Sequence, residues 1–300
     1  MAEENSADKV IKVVDVVVDC IYILGCFFSA IFLYIFVKGM LKKKSPMRSS
    51  FYFFMAVATV ADIVCNFFYY GLVYILDPVL GQNENKSIQD IYHDYIFVIM
   101  IFVARVCAIM DTGLDAVLTV NRLTALVFPF RHSRIWSYKN SLIIFTVFLG
   151  AAIIFTYLIY FIDSGLNPMD ICLTTLLGIA GASVILTFAF GKKTTSMNAE
   201  VARGERMLMY NTTFGTFWLI FSRLINFYRT YVETTEDPQL MLDILYFVYN
   251  ICGLFANPGS LIFLYYLSSA VRAEFHDTFH FLQSFKSKKK IASDVTPTIF

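Results

Sequence analysis

The chain is predicted to be an all-α membrane protein, a bundle of seven transmembrane helices with the N-terminus outside and the C-terminus inside. Three observations lead there. Of the 300 residues 58% are hydrophobic and only 16% are charged, too apolar a mixture for an ordinary soluble domain of this length. Seven apolar runs are each long enough for the roughly 20 residues that a bilayer requires of a helix. The charged residues between those runs alternate in sign from loop to loop.

The runs span about Val13–Val37, Phe51–Leu76, Tyr95–Phe128, Ser141–Ile162, Ile171–Phe190, Leu208–Phe227 and Leu240–Leu267. The third is long enough to tilt or to project from the bilayer. The sixth is the weakest, because Asn211, Arg223 and Asn226 dilute it. Residues 1–285 therefore read as one helical domain, and 286–300 as a basic cytoplasmic tail. The first dozen residues carry Glu3, Glu4 and Asp8, and the first apolar run is too long for a signal peptide, so that run is expected to act as its own insertion signal.

Orientation follows from the loops. Lys38, Lys42, Lys43, Lys44 and Arg48 lie after the first span, Arg131, Arg134 and Lys139 after the third, and Lys192, Lys193, Arg203 and Arg206 after the fifth. The intervening loops carry Asp77, Glu84 and Asp90, then Asp163 and Asp170, then Glu233, Glu236 and Asp237. The basic loops belong inside. Asn85-Lys86-Ser87 is a glycosylation acceptor in the first outer loop, whereas Asn211-Thr212-Thr213 lies within a span and is expected to be inert. After the last span, about 268–285 is amphipathic: Val271, Phe275, Phe279 and Leu282 recur at helical spacing, as in a helix lying in the inner interface beside anionic lipid.

Polar residues inside apolar spans are costly and point to function. Asp111, Asp115 and Arg122 are four and then seven residues apart, so they share one face of the third span. Asp62, Asp111 and Asn257 lie at similar depth, about 10 or 11 residues from the inner ends of their spans. Two carboxylates and an amide at one level need a proton, a cation or water between them. Pro258 removes a backbone donor next to Asn257 and permits a kink. Such a cluster is either a two-state element or static hydrogen-bonded glue between spans. No cofactor is expected, bound sodium at this cluster being the one candidate. Arg122, at the inner mouth, either switches partners between states or snorkels. In the outer half Arg105 and Arg223, among aromatics such as Tyr69 and Tyr246, would suit a small acidic amphiphile; the alternative is internal pairing and an interfacial aromatic belt.

Several classes are excluded or disfavoured. The six cysteines show no Cys-x-x-Cys spacing, and no metal site is expected. The seventh span has no lysine for a Schiff base. No nucleophile–base or phosphate-cradling pattern stands out, so no enzyme is predicted. A net charge of +1 gives no reason to expect a nucleic-acid partner. An ion- or proton-coupled transporter using Asp62, Asp111 and Asp115 is the alternative from another class, although no inverted repeat of broken helices is visible.

At this point the motifs match something known. Asn121-Arg122-Leu123 with Pro129 resembles the Asp-Arg-Tyr…Pro signature of rhodopsin-like G-protein-coupled receptors. Ala56-x-Ala58-x-x-Ala61-Asp62 and Asn257-Pro258 are similar to their second- and seventh-span motifs. The fourth span lacks their Trp, the sixth their Cys-Trp-x-Pro, and no Cys stands at the outer end of the third. The stretch from Asn121 to Trp136, with Gly204-Glu205-Arg206-x-Leu208, resembles nematode serpentine receptors of class gamma; sister classes V, X and T share the superfamily. The resemblance implies a chemosensory receptor in the plasma membrane, of sensory neurons in that family. It further implies a small environmental or pheromone-like ligand, a heterotrimeric G protein as partner, and Asn121, Arg122 and Pro129 at the coupling surface.

Overall fold

The structure is a computed structural model that describes residues 6–43, 45–70, 76, 79–81, 86–161, 168–191, 199–235 and 239–280. Its long helices are α1 (Ser6–Leu41), α2 (Ser50–Tyr70) and α3 (Lys86–Val127), the last continuous through a π-turn at Tyr92–Ile96. A short α4 (Pro129–Ile135) starts on proline, whose missing N–H costs nothing at a first helical position. Then come α5 (Tyr138–Phe161), α6 (Pro168–Gly191) and α7 (Ala199–Thr235). The eighth helix, α8, runs Gln239–Leu254, crosses a π-turn at Phe255–Gly259 and continues as Ser260–Leu267. A short α9 (Ser269–Thr278) follows. No strand occurs among the described residues.

The long helices close a ring: α1 packs on α2, α2 on α3, α3 on α5, α5 on α6, α6 on α7, α7 on α8, and α8 back on α1. The helix α3 also touches α6 and α7, so it runs through the middle of the bundle. Among the described residues six helical stretches are long and apolar enough to cross a membrane: Cys20–Leu41, Ser50–Phe68, Lys86–Val127, Tyr138–Ile159, Pro168–Phe190 and Met241–Leu267. The remaining long helix, α7, is not among them. Its 37 residues reach about 55 Å, but its polar content keeps it below the hydropathy of the others. Phe27, Val147, Ile154, Ile185 and Leu224 stand exposed on the outside of the bundle, as lipid-facing side chains do.

In lipid the apolar environment is no different from the helix surface, so packing rather than water exclusion draws the spans together. Close approach is visible at Gly113, where an added Cβ would overlap the Phe148 ring of α5. The buried apolar core includes Phe32, Phe36, Phe51, Phe54, Leu118 and Leu264. Trp136, just past α4, meets Phe54 edge-on at 5.8 Å.

The amphipathic segment forms α9, shorter than the sequence pattern, and residues 281–285 lie outside the described residues together with the basic tail. Ser268 caps it by accepting the Val271 N–H at 3.3 Å, and the Tyr52 hydroxyl bonds to the same oxygen at 2.8 Å. Val271, Phe275 and Phe279 pack into the core as the periodicity requires. The acidic residues of α9 turn to α1: Lys42 reaches Glu274 at 2.7 Å and Asp277 at 2.8 Å, and Lys38 donates to Thr278 at 3.0 Å. Lys42 and Lys38 hold the Asp277 carboxyl below the ordinary range.

Candidate functional site

Asp62 is buried on α2, and the π-turn of α8 carries Asn257 to it. Pro258 has no N–H, so the α8 ladder cannot continue regularly, and the wider turn turns the Asn257 amide inward. Its Nδ2 donates to Asp62 Oδ1 at 2.6 Å, and Asn66 Nδ2 donates to the same oxygen at 2.9 Å. The Asn257 side chain also hydrogen-bonds Asp111 of α3. The depth argument therefore places these three residues together, bridged by one amide.

Asp115 sits one turn further along α3 and takes a different partner. Its Oδ2 accepts the Thr216 hydroxyl of α7 at 2.6 Å. Two cavities meet at this level. One, of about 140 Å³, is lined by Tyr22, Cys65, Asn66, Arg223, Tyr249 and the Asp62–Asp111–Asn257 cluster. The other, of about 50 Å³, lies on the far side of that cluster, against Asp115, Asn211, Thr212, Gly215 and Ser260. The result is a polar column inside an apolar bundle. Among the described residues no three His, Cys, Asp or Glu side chains converge as metal ligands, and all six cysteines are unpaired.

Arg223 faces the larger cavity, where its charge acts on Asp111. Arg105 does not join it: it is exposed, and six residues of helix turn it about 120° away from Asp111. Tyr246 lies under the Arg229 guanidinium, 5.9 Å from the ring centre, and Arg229 pairs with Glu233 at 3.4 Å. The expected pair of arginines in one aromatic cavity is thus not formed. The Tyr69 side chain and Asn85 lie outside the described residues.

A third cavity, of about 840 Å³, opens beside Arg122, with Tyr52, His132, Leu208 and Arg272 in its wall. Arg122 is buried, with its guanidinium 4.5 Å from the centre of the Phe51 ring. Its Nε donates to Asn121 Oδ1 at 3.1 Å, and a second guanidinium nitrogen contacts the same oxygen. Asn121 in turn donates to Ser50 Oγ at 3.0 Å. Pro129 opens α4, and the turn it makes is locked on Thr124, whose hydroxyl oxygen accepts Trp136 Nε1 at 2.6 Å and meets His132 Nδ1 at 3.2 Å. Burial, and then the nearby Arg122 charge, push His132 down to about 4.

Sequence reasoning missed Phe51, Asn66, Asn211 and Thr216. Phe51 reads as one of many apolar residues, and Thr216 meets Asp115 across 101 positions, for which no local pattern exists. Asn211 was visible only as a dilution of its span and an inert sequon.

Residues 20–167 match the family model described as Serpentine type 7TM GPCR chemoreceptor Srx. No curated protein matches the chain. The matching class is X, where the motif around Asn121 resembled class gamma; residues 121–136 are too short a stretch to separate sister classes. Serpentine chemoreceptors are not an enzyme family. The chain is a multi-pass membrane protein similar, over residues 20–167, to the Srx serpentine G-protein-coupled chemoreceptors of nematodes.

Proposed function

We propose that the chain is a chemoreceptor that crosses the plasma membrane seven times, N-terminus outside, with α7 as its sixth span. It senses a small environmental or pheromone-like molecule and activates a heterotrimeric G protein. The observation that carries this reading is the Srx match, within which Asn121, Arg122 and Pro129 fall. The geometry agrees with it: Arg122 stands at the wall of the largest of the three cavities, between α3 and the α8–α9 corner. In this reading agonist moves α7 away from α3, and Arg122 leaves Phe51 and Asn121 to meet the G protein. The ligand binds on the Arg223 side of the bundle. With Arg105 facing outward, a single guanidinium and the polar groups around it favour a small molecule with one acidic group. The X class supplants gamma as the subclass, and the transporter alternative gains no support from the match.

The test is expression with a promiscuous G protein and a calcium or cAMP reporter, challenged with extracts rich in small secreted nematode metabolites. A response in the wild type that disappears in a surface-expressed Arg122→Ala variant is the expected result. A response that persists in that variant would remove Arg122 from coupling.

A further inference from the structure

We propose that the ligand site has a second part on the outside of the bundle. A groove between α1 and α8 takes the hydrocarbon chain of a single-chain amphiphile whose acidic head lies in the Arg223 cavity. This rests on the reading of that cavity given above, and extends it from a head group to a whole molecule.

The groove, of about 390 Å³, is walled by apolar residues. Ile21, Leu24 and Phe28 of α1 recur at helical spacing, and Leu254, Phe255 and Ile262 of α8 stand opposite. From Ile251 to Ile262 it runs about 16 Å along α8, half of the ~30 Å hydrocarbon core of a bilayer. Leu24, Phe28, Phe255 and Ile262 are exposed on the outer surface, so the groove opens sideways to lipid.

Its floor joins it to the polar cavity. Gly25 and Pro258 line both spaces, so a wall one residue thick divides them. Gly25 adds no side chain to that wall, and a Cβ there would lie 3.2 Å from Pro258 Cγ. One turn away the seam is closed: the Tyr22 ring covers Gly253, and its hydroxyl donates to Asn250 O at 2.8 Å.

Size and polarity say what each part holds. At about 30 Å³ per water, the 140 Å³ cavity has room for a head group and little more. Asp62 and Asp111 are bridged there by the Asn257 amide, and among the described residues Arg223 is the cation in the wall. A carboxylate pairs with it. A long apolar chain in the same cavity would strip polar groups of their partners, whereas the groove has none to strip. A seam as narrow as Gly25–Pro258 passes a methylene chain and stops a fused ring system.

The chain carries its own reporter. Trp218 of α7 stacks on Phe255, 4.7 Å between ring centres, while Trp136 lies against Phe54. The full chain in detergent is titrated with stearate dibrominated at mid-chain, and tryptophan fluorescence is followed. Saturable quenching that disappears in Trp218→Phe is expected. Arg223→Gln should raise the half-saturating concentration at least about tenfold, and the methyl ester should bind the wild type as weakly as that. Gly25→Leu, which fills the seam, should abolish the saturable part. Ile262→Phe crowds the groove from its exposed rim and covers the case in which the leucine variant does not fold. Quenching that rises linearly without saturation would overturn the proposal, the fatty acid then being only in the detergent shell. Saturable quenching equal for acid and ester and unchanged in Arg223→Gln would overturn it too, because the groove would then hold a bilayer chain unconnected to the cavity. The assay reads binding alone and needs no G protein, so either failure leaves the signalling reading where it stands.

Discussion

His132 shows how a single side chain inherits its chemistry from neighbours far away in sequence. An imidazole ordinarily titrates near 6.5, and here burial and the Arg122 charge bring it to about 4. The folded chain therefore prefers the neutral ring. That contribution is whole above 6.5 and is lost as pH falls through about 4, because the unfolded chain takes up the proton first. The melting temperature of the wild type should accordingly fall more steeply than that of His132→Gln between these two values. Parallel curves would mean that the ring is solvated. At the same scale Arg122 is held by an aromatic face and an amide, the residue before it being Asn121.

At the scale of elements, contacts between helices depend on what small residues allow. Gly113 lets α5 bring Phe148 onto the backbone of α3. Gly113→Val should lower the yield of folded protein, overpacking of this kind costing about 1–3 kcal/mol or more, and Phe148→Ala in the same chain should restore most of it. Gly150→Ala on α5 has open space around it and should be neutral. Yield measured by fluorescence-detected size exclusion separates these cases, and a Gly113→Val protein that folds as well as the wild type would show that the two helices can part freely. The α8 helix makes the complementary point. Pro258 breaks its regular ladder, and the resulting π-turn is what delivers Asn257 to Asp62.

For the molecule as a whole, the proposed orientation makes a prediction: the first inter-span acidic loop lies outside, where Asn85 is expected to be glycosylated. Expressed in a secretory pathway, the chain should carry one glycan that glycosidase removes and that Asn85→Gln abolishes, with Asn211 unmodified. A glycan on a basic-loop reporter site instead would invert the topology. The same charges shape the basic end: Lys38 and Lys42, counted only as topological signals in the sequence, also bind the acidic side of α9.

The sequence alone determined the helical membrane class, because apolar run length and composition are local quantities and six of the runs are long apolar helices in the structure. It also determined that Asp62, Asp111 and Asn257 lie at one depth, since rise per residue is fixed in a helix. Only the tertiary structure decided which side of the bundle each polar residue faces. Arg105 and Arg223 have similar claims in the sequence, and helix rotation exposes one and encloses the other. Tertiary structure likewise decided that Thr216 answers Asp115 and that Asn211 is left with an unpaired oxygen. Those facts arise where α7 meets α3, and the hydrogen-bond inventory of a buried chamber exists only after the helices have closed around it.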